Sequence, residues 1–225
     1  MEKTTTALEY EKAIQYIYGL IQNGELTVGS RLPTERAISE TVGIGRNSTR
    51  QALSILHGMG MIESIQGSGN YVSGNMGNSI QQILMMMLTL GSITTRQVCE
   101  FRRVMEKAVC MTLLQKELNR QKRQELSGML DRMAGQKGKK LEELDGAFHA
   151  ALTQATENPL FITIVEAVTY LYRDSTHQAL QKADEKTKSQ LLCCHRKIYE
   201  GIVDKDMDKL MTAVDKHYDL IEEMF

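Results

Sequence analysis

Where glycine and proline fall constrains this chain more than any other feature. Up to residue 78 it is broken by Gly24, Gly29, Pro33, Gly43, Gly45, Gly58, Gly60, Gly67, Gly69, Gly74 and Gly77. Breakers at that density end helices and set turns, so only short, tightly joined elements fit. From residue 79 onward a single proline, Pro159, remains, and apolar residues recur at three- and four-residue steps, the mark of helices. The small, polar run from Ser73 to Asn78 reads as the joint between these regimes. The expected organisation is therefore a compact unit over 1–73, a linker over 74–78 and an all-helical unit over 79–225.

Composition removes several classes of protein. A hydrophobic share of 42 % can build a core, so a disordered chain is not expected. The longest apolar run, Ile83 to Leu90, falls far short of the roughly 20 residues of a membrane span. The N-terminus lacks the apolar core of a signal peptide. Cys99, Cys110, Cys193 and Cys194 show no metal or disulfide spacing, which predicts reduced thiols and a cytoplasmic chain.

In the first part, Tyr10, Ile14, Ile17 and Ile21 form one helical face that Gly24 can end. Thr34 suits the N-cap of a second helix with Ala37, Ile38 and Val42 inward. Gly43-Ile44-Gly45 is a turn, and a third helix is expected from about Asn47, with Ala52, Leu53 and Leu56 inward. Two extended pieces, 61–66 and 70–73, flank Gly67-Ser68-Gly69, a hairpin signal. That order is the order of a winged helix-turn-helix, whose second motif helix enters the DNA major groove. Its first turn here carries Arg46, Asn47, Ser48 and Arg50, the two arginines stacked away from the inward residues. Arginine reads guanine through its planar fork, while Asn and Ser serve a base or a phosphate. Gly67 lets the hairpin tip approach a backbone closely, with Gln66 beside it. Charge supply does not argue for DNA, since residues 1–75 hold six basic against seven acidic side chains. The arginine pair fits a solvated surface as well, so the placement of charge must carry the case.

The wording Gly29-Ser30-Arg31-Leu32-Pro33-Thr34-Glu35-Arg36, Arg46-Asn47-Ser48-Thr49-Arg50-Gln51-Ala52-Leu53, Leu56-His57-Gly58-Met59-Gly60-Met61-Ile62 and Gly67-Ser68-Gly69-Asn70-Tyr71-Val72 resembles the DNA-binding domain of GntR-family transcriptional regulators. The resemblance covers roughly residues 8–73 and implies operator contacts from Arg36, Arg46, Arg50 and Gly67, helped by Asn47 and Ser48. Two positions depart from the family's pattern. Gly45 replaces a usual Ser or Thr, leaving Asn47 as an alternative cap, and Thr49 replaces a common Val.

The second part reads as an antiparallel helical bundle able to hold a ligand. Val98, Phe101, Val104 and Met105, then Leu152, Phe161, Ile164, Val165, Val168 and Leu171, recur at helical steps. Asn158-Pro159 marks a break, and 204–208 a loop or cap before the last helix. Asp145 and His149 share one helical face, and His195 and His217 stand on later helices among apolar neighbours. Three imidazoles and a carboxylate suit a divalent ion; four separate polar side chains would read the same way along the chain.

Asp145-Gly146-Ala147-Phe148-His149 followed by Asn158-Pro159, then Cys194 to Tyr199, the stretch Ala213–His217, and Glu100-Phe101-Arg102-Arg103-Val104-Met105-Glu106 resemble the FCD effector domain of the FadR-like GntR branch. That likeness implies a mainly α chain with a winged helix-turn-helix before an FCD-like bundle. It implies a metal at Asp145, His149, His195 and His217, with zinc preferred and nickel, manganese or iron as alternatives. It also implies a small carboxylate effector met by Arg102, for which a buried ion pair with Glu is the competing role.

Weaker features are His57 and His177, expected at surface or capping positions, Cys193-Cys194, expected on diverging faces, and Met85-Met86-Met87, expected as core. The resulting expectation is a homodimeric, effector-responsive regulator, a repressor rather than an activator, on a pseudo-palindromic duplex. Two alternatives compete with it: a metal-dependent hydrolase or lyase acting on a small organic acid, and a metal-independent effector domain.

Overall fold

The computed structural model of this chain describes residues 8–74 and 76–224; the side chains of 174–179 and 182, and with them His177, lie outside the description. The chain divides into two compact units meeting in sequence at Ile80 and Gln81.

The first unit contains α1 (Glu9–Gln22), α2 (Glu35–Val42), α3 (Arg46–Gly58), β1 (Ile62–Ile65) and β2 (Gly69–Val72). Ala13 and Ile17 from α1, Ile38 from α2 and Ala52, Leu53 and Leu56 from α3 converge with Ile62 and Val72 in one core. Tyr10, Ile14 and Ile21 pack at its margin. The Thr34 hydroxyl accepts from Ala37 N at 3.2 Å and starts α2, which Gly43 ends in the left-handed region (φ 71°). Helix α3 starts one residue earlier than the spacing predicts. Gly45 occupies its N-cap position with no side-chain cap, and Asn47 lies inside the first turn instead of capping it.

Thr49 is fully buried, and its hydroxyl lies 2.8 Å from that of Ser39, tying α3 to α2. A threonine is tolerated here because a partner hydroxyl is buried with it. The strands pair antiparallel from Ile62 opposite Val72 to Ile65 opposite Gly69. The segment before α2 adds Leu32 N to Asn70 O at 2.8 Å and Val72 N to Ser30 O at 2.9 Å, which braces the wing.

The second unit comprises most of α4 (Met76–Thr89), with α5 (Thr95–Gln115), α6 (Arg120–Met133), α7 (Gly138–Ala155), α8 (Pro159–Lys182), α9 (Glu185–Asp204) and α10 (Met207–Glu222). Side chains of Thr94, Asn119, Asp184 and Asp206 cap α5, α6, α9 and α10 by accepting from the backbone N–H three residues on. Lys205, left-handed at φ 58°, turns α9 directly into α10. Phe148, Leu152, Leu113, Ile198, Val214 and Tyr218 are central to the core.

Helix α4 begins at Met76, inside the stretch 74–78 expected as a linker. One expectation fails against this packing. Met85, Met86 and Met87 are exposed, because α4 buries no residue among those described. Val98 is buried on α5, whereas Phe101 and Val104 face outward at 45 % and 63 % exposure. Helical spacing shows that residues share a face, not which way that face points.

Candidate functional sites

The helix-turn-helix unit leaves most of its candidate DNA-reading residues exposed. Arg36, Arg46, Asn47 and Arg50 are exposed, as are Gln66 and Gly67 at the hairpin tip, where Gly67 holds φ 75°. Each described ion pair or hydrogen bond of this surface uses a neighbouring carboxylate. Arg36 Nε lies 3.2 Å from Glu40, Arg50 Nε 2.8 Å from Glu35, and the Ser48 hydroxyl donates to Glu9 at 2.6 Å. Two of the segment's cations, Arg36 and Arg50, thus stand against carboxylates. Exposed pairs of this kind contribute only about 0–1 kcal/mol, so they exchange for a polyanion at little cost. His57 is exposed at the end of α3, as expected.

The bundle assembles a buried cluster from three helices. Asp145 and His149 project from α7, His195 from α9 and His217 from α10, each at 9 % exposure or less. One ligand atom from each lies within 4.8 Å of all the others. A carboxylate that sequence analysis did not single out completes the arrangement. Glu106 on α5, 5 % exposed, receives His149 Nδ1 at 2.7 Å. That bond fixes the ring and leaves His149 Nε2 for the cluster.

Glu106 stands four residues beyond Arg102, one turn along the same face. That spacing was the available signal. What the chain could not reveal was that α5 lies against α7.

The polar atoms of the cluster are poorly satisfied. His149 Nε2 and both ring nitrogens of His195 and His217 are buried with no hydrogen-bond partner. His195 Nε2 is 3.3 Å from Asp145 Oδ1, close enough for an ion pair but without hydrogen-bond alignment. Each orphaned buried polar group costs about 1–3 kcal/mol, so five in one place call for a bound species. Burial pushes His195 down to about 4 against the pull of Asp145. Burial, reinforced by the other two imidazoles, pushes His217 well below its ordinary value. Both rings are thus neutral near pH 7, with lone pairs available. Burial also opposes charge on His149, but Glu106 outweighs it and raises that imidazole. Neutral imidazoles with one carboxylate are the donor set of a divalent transition ion, and the residues present fit such an ion.

Arg102 extends beside this cluster. Its guanidinium carbon sits 4.8 Å from the centre of the Tyr172 ring, a cation–π approach. Among the described residues it makes no ion pair within 4.0 Å, although Glu106 stands in the same cavity. Arg102 and Glu106 line a small cavity together with Met105, Val109, Val165 and Val168. The arginine's charged fork thus stands at an aliphatic-walled cavity beside the nest of ligand atoms. Cys193 is exposed and Cys194 buried, so the adjacent thiols do point apart; all four thiols are free.

Comparison with known proteins agrees with this division. Residues 9–72 match the family of bacterial regulatory proteins, gntR family, and residues 97–220 match the FCD domain. The chain is 28 % identical over 210 residues to the HTH-type transcriptional regulator LutR of Bacillus subtilis (strain 168), covering 91 % of this chain and 95 % of that one. It is 26 % identical over 212 residues to the Glc operon transcriptional activator of Escherichia coli (strain K12), covering 87 % and 80 %. The solved structure of Streptococcus agalactiae GntR shares the fold, with a TM-score of 0.72 at 23 % identity, over 96 % of this chain and 99 % of that one. A family of DNA-binding regulators leaves no place for the hydrolase or lyase alternative. The chain belongs to the GntR family in its FCD-containing branch, and is a DNA-binding transcriptional regulator whose effector domain is the helical bundle.

Proposed function

We propose that the protein is a metal-containing, carboxylate-responsive repressor that binds a pseudo-palindromic operator as a homodimer in the cytoplasm. The observation that carries this reading is the set of orphaned imidazole nitrogens with Asp145. Asp145, His149, His195 and His217 would hold the ion, zinc by preference, which when bound supplies a Lewis-acidic site for an oxygen ligand. Arg102 binds the effector carboxylate through two parallel hydrogen bonds, and the aliphatic wall limits the effector to a small acid. Glu106 orients His149.

On the DNA side, Arg46, Arg50 and Arg36, with Asn47, Ser48, Gln66 and Gly67, form the reading surface. Operator phosphates and bases replace the carboxylate partners Glu9, Glu35 and Glu40. Arg50→Ala weakens operator binding by about 1–3 kcal/mol when the side chain makes a bidentate base contact, measured by fluorescence anisotropy. Unchanged affinity refutes that contact.

Self-association is supported by Phe101, Val104 and Met111, exposed apolar residues in register along α5. A two-fold protein requires two-fold symmetry in its site. The effector acts by its difference in affinity between DNA-competent and incompetent forms, and release of DNA is the expected direction.

The deciding experiment is native mass spectrometry of the purified protein and of His195→Ala. Wild type is expected to carry one divalent ion per chain, and the variant to lose most of it while keeping its helical content. Full metal occupancy in the variant refutes the ligand assignment.

A further inference from the structure

Arg31 lies in the stretch before α2, and none of the roles assigned above uses it. Its backbone pairs antiparallel with Tyr71, held between the bonds from Leu32 N to Asn70 O at 2.8 Å and from Val72 N to Ser30 O at 2.9 Å. Residues paired across strands carry their side chains on one face, and along a strand that face recurs every second residue. Arg31 therefore shares the face of Tyr71 and Gly69. Gly69 leaves that face open, and the arginine lies over it. A Cβ at residue 69 would stand 3.2 Å from Arg31 Nε and 3.4 Å from Arg31 Nη2. The guanidinium is thereby laid along the wing, nearer the turn than its own backbone and toward Gln66 and Gly67. The turn itself is tied back, since the hydroxyls of Ser68 and Tyr71 lie 2.6 Å apart.

Charge sets this arginine apart from its neighbours. Arg36 and Arg50 stand against Glu40 and Glu35, whereas Arg31 is exposed and has no ion pair among the described residues. The fold asks of residue 31 only a stem that covers Gly69, which an uncharged side chain of similar length supplies as well. A cation held in place beside the DNA-approaching tip of a wing meets the phosphate backbone, which attracts it whatever the sequence.

We propose that Arg31 is an operator-contacting residue of the wing, whose guanidinium binds a DNA backbone phosphate next to the hairpin tip. The proposal rests on the DNA-reading surface proposed above and adds to it a contact that supplies affinity without sequence preference.

The test measures fluorescence anisotropy of the full chain with two duplexes of equal length, one enriched by wild type from a random library and one of scrambled sequence. Arg31→Met keeps the stem over Gly69 and removes the charge. It is expected to flatten the slope of log affinity against log salt by about 0.9 for each DNA-bound winged unit. Near about 0.1 M salt that is a loss of about 5- to 10-fold per unit, on both duplexes. Arg31→Lys is expected to keep the wild-type slope, and both variants to melt at the wild-type temperature. An unchanged slope in Arg31→Met overturns the proposal. A loss confined to the enriched duplex also overturns it, because that marks a base contact. An equal loss in Arg31→Lys, or melting below wild type, overturns it by assigning the side chain to the fold. Arg50→Ala, titrated beside these, separates the two readings. Unchanged affinity there refutes the base contact proposed above, while the slope of Arg31→Met on the scrambled duplex decides the role of Arg31 independently.

Discussion

Gly201 offers a sharp test of how the cluster is held together. It lies in the last turn of α9, where α9 packs on α10. A Cβ added there would sit 2.9 Å from Leu210 Cβ, 3.0 Å from Leu210 Cα and 3.1 Å from Leu210 N. Leu210 cannot turn away, since two of those atoms are backbone and the residue is fully buried. Its N–H is also bonded to Asp206 O at 3.1 Å. Comfortable carbon contacts begin near about 3.5 Å, so the helices must part by roughly 0.5–1 Å.

Overpacking of this size costs about 1–3 kcal/mol, and alanine's better helix propensity returns at most about 1 kcal/mol. Gly201→Ala is therefore expected to destabilise by about 1–2 kcal/mol, lowering the melting temperature by roughly 2–8 °C for a chain of this size. Gly146, inside α7, supplies the control, because an added Cβ there meets nothing within 4 Å. Gly146→Ala is expected to stabilise by about 0.5–1 kcal/mol. Calorimetric unfolding of both variants decides the matter. A Gly201→Ala protein melting at or above wild type would show that α9 and α10 do not approach as described. Because α9 carries His195 and α10 carries His217, the same variant is expected to bind metal less tightly.

Other outcomes follow from buried polar pairs. Thr49→Val strands the Ser39 hydroxyl at 8 % exposure and is expected to cost about 1–3 kcal/mol. Adding Ser39→Ala restores most of that stability, since removing both partners is nearly neutral. A denaturant midpoint for the double variant no higher than for Thr49→Val would contradict the pairing. Glu106→Gln retains the shape but not the charge beside His149, and is expected to lower zinc affinity about 10- to 100-fold. Competition with a chromogenic chelator measures this, and equal affinity would remove Glu106 from the site.

Much of the first unit was legible along the chain because its logic is local. Thr34 caps α2 through a hydrogen bond spanning three residues, and Gly43 and Gly67 adopt positive φ where a turn demands it. The departure at Gly45 was visible too, but its result was not. Asn47 loses the capping position because a helix can begin at Arg46 with glycine at its N-cap. Thr49 reads as a polar intrusion until Ser39 is seen opposite it.

In the bundle, local spacing put Asp145 and His149 on one face, since residues four apart stack on any helix. His195 and His217 stood out on later helices among apolar neighbours, and the family resemblance joined them to that pair. Whether three helices bring those atoms within 4.8 Å is a matter of helix packing, and linear periodicity carries no information about which helix a face will meet. The same gap hid Glu106, whose importance comes from α5 lying beside α7. It also misdirected Met85–Met87, whose apolar character is indistinguishable from that of a buried face. Chain order alone pointed to the elements of the first unit and the cap at Thr34, because those depend on contacts within a few residues. Only the tertiary structure decided which polar atoms are buried without partners, because desolvation depends on everything that surrounds an atom.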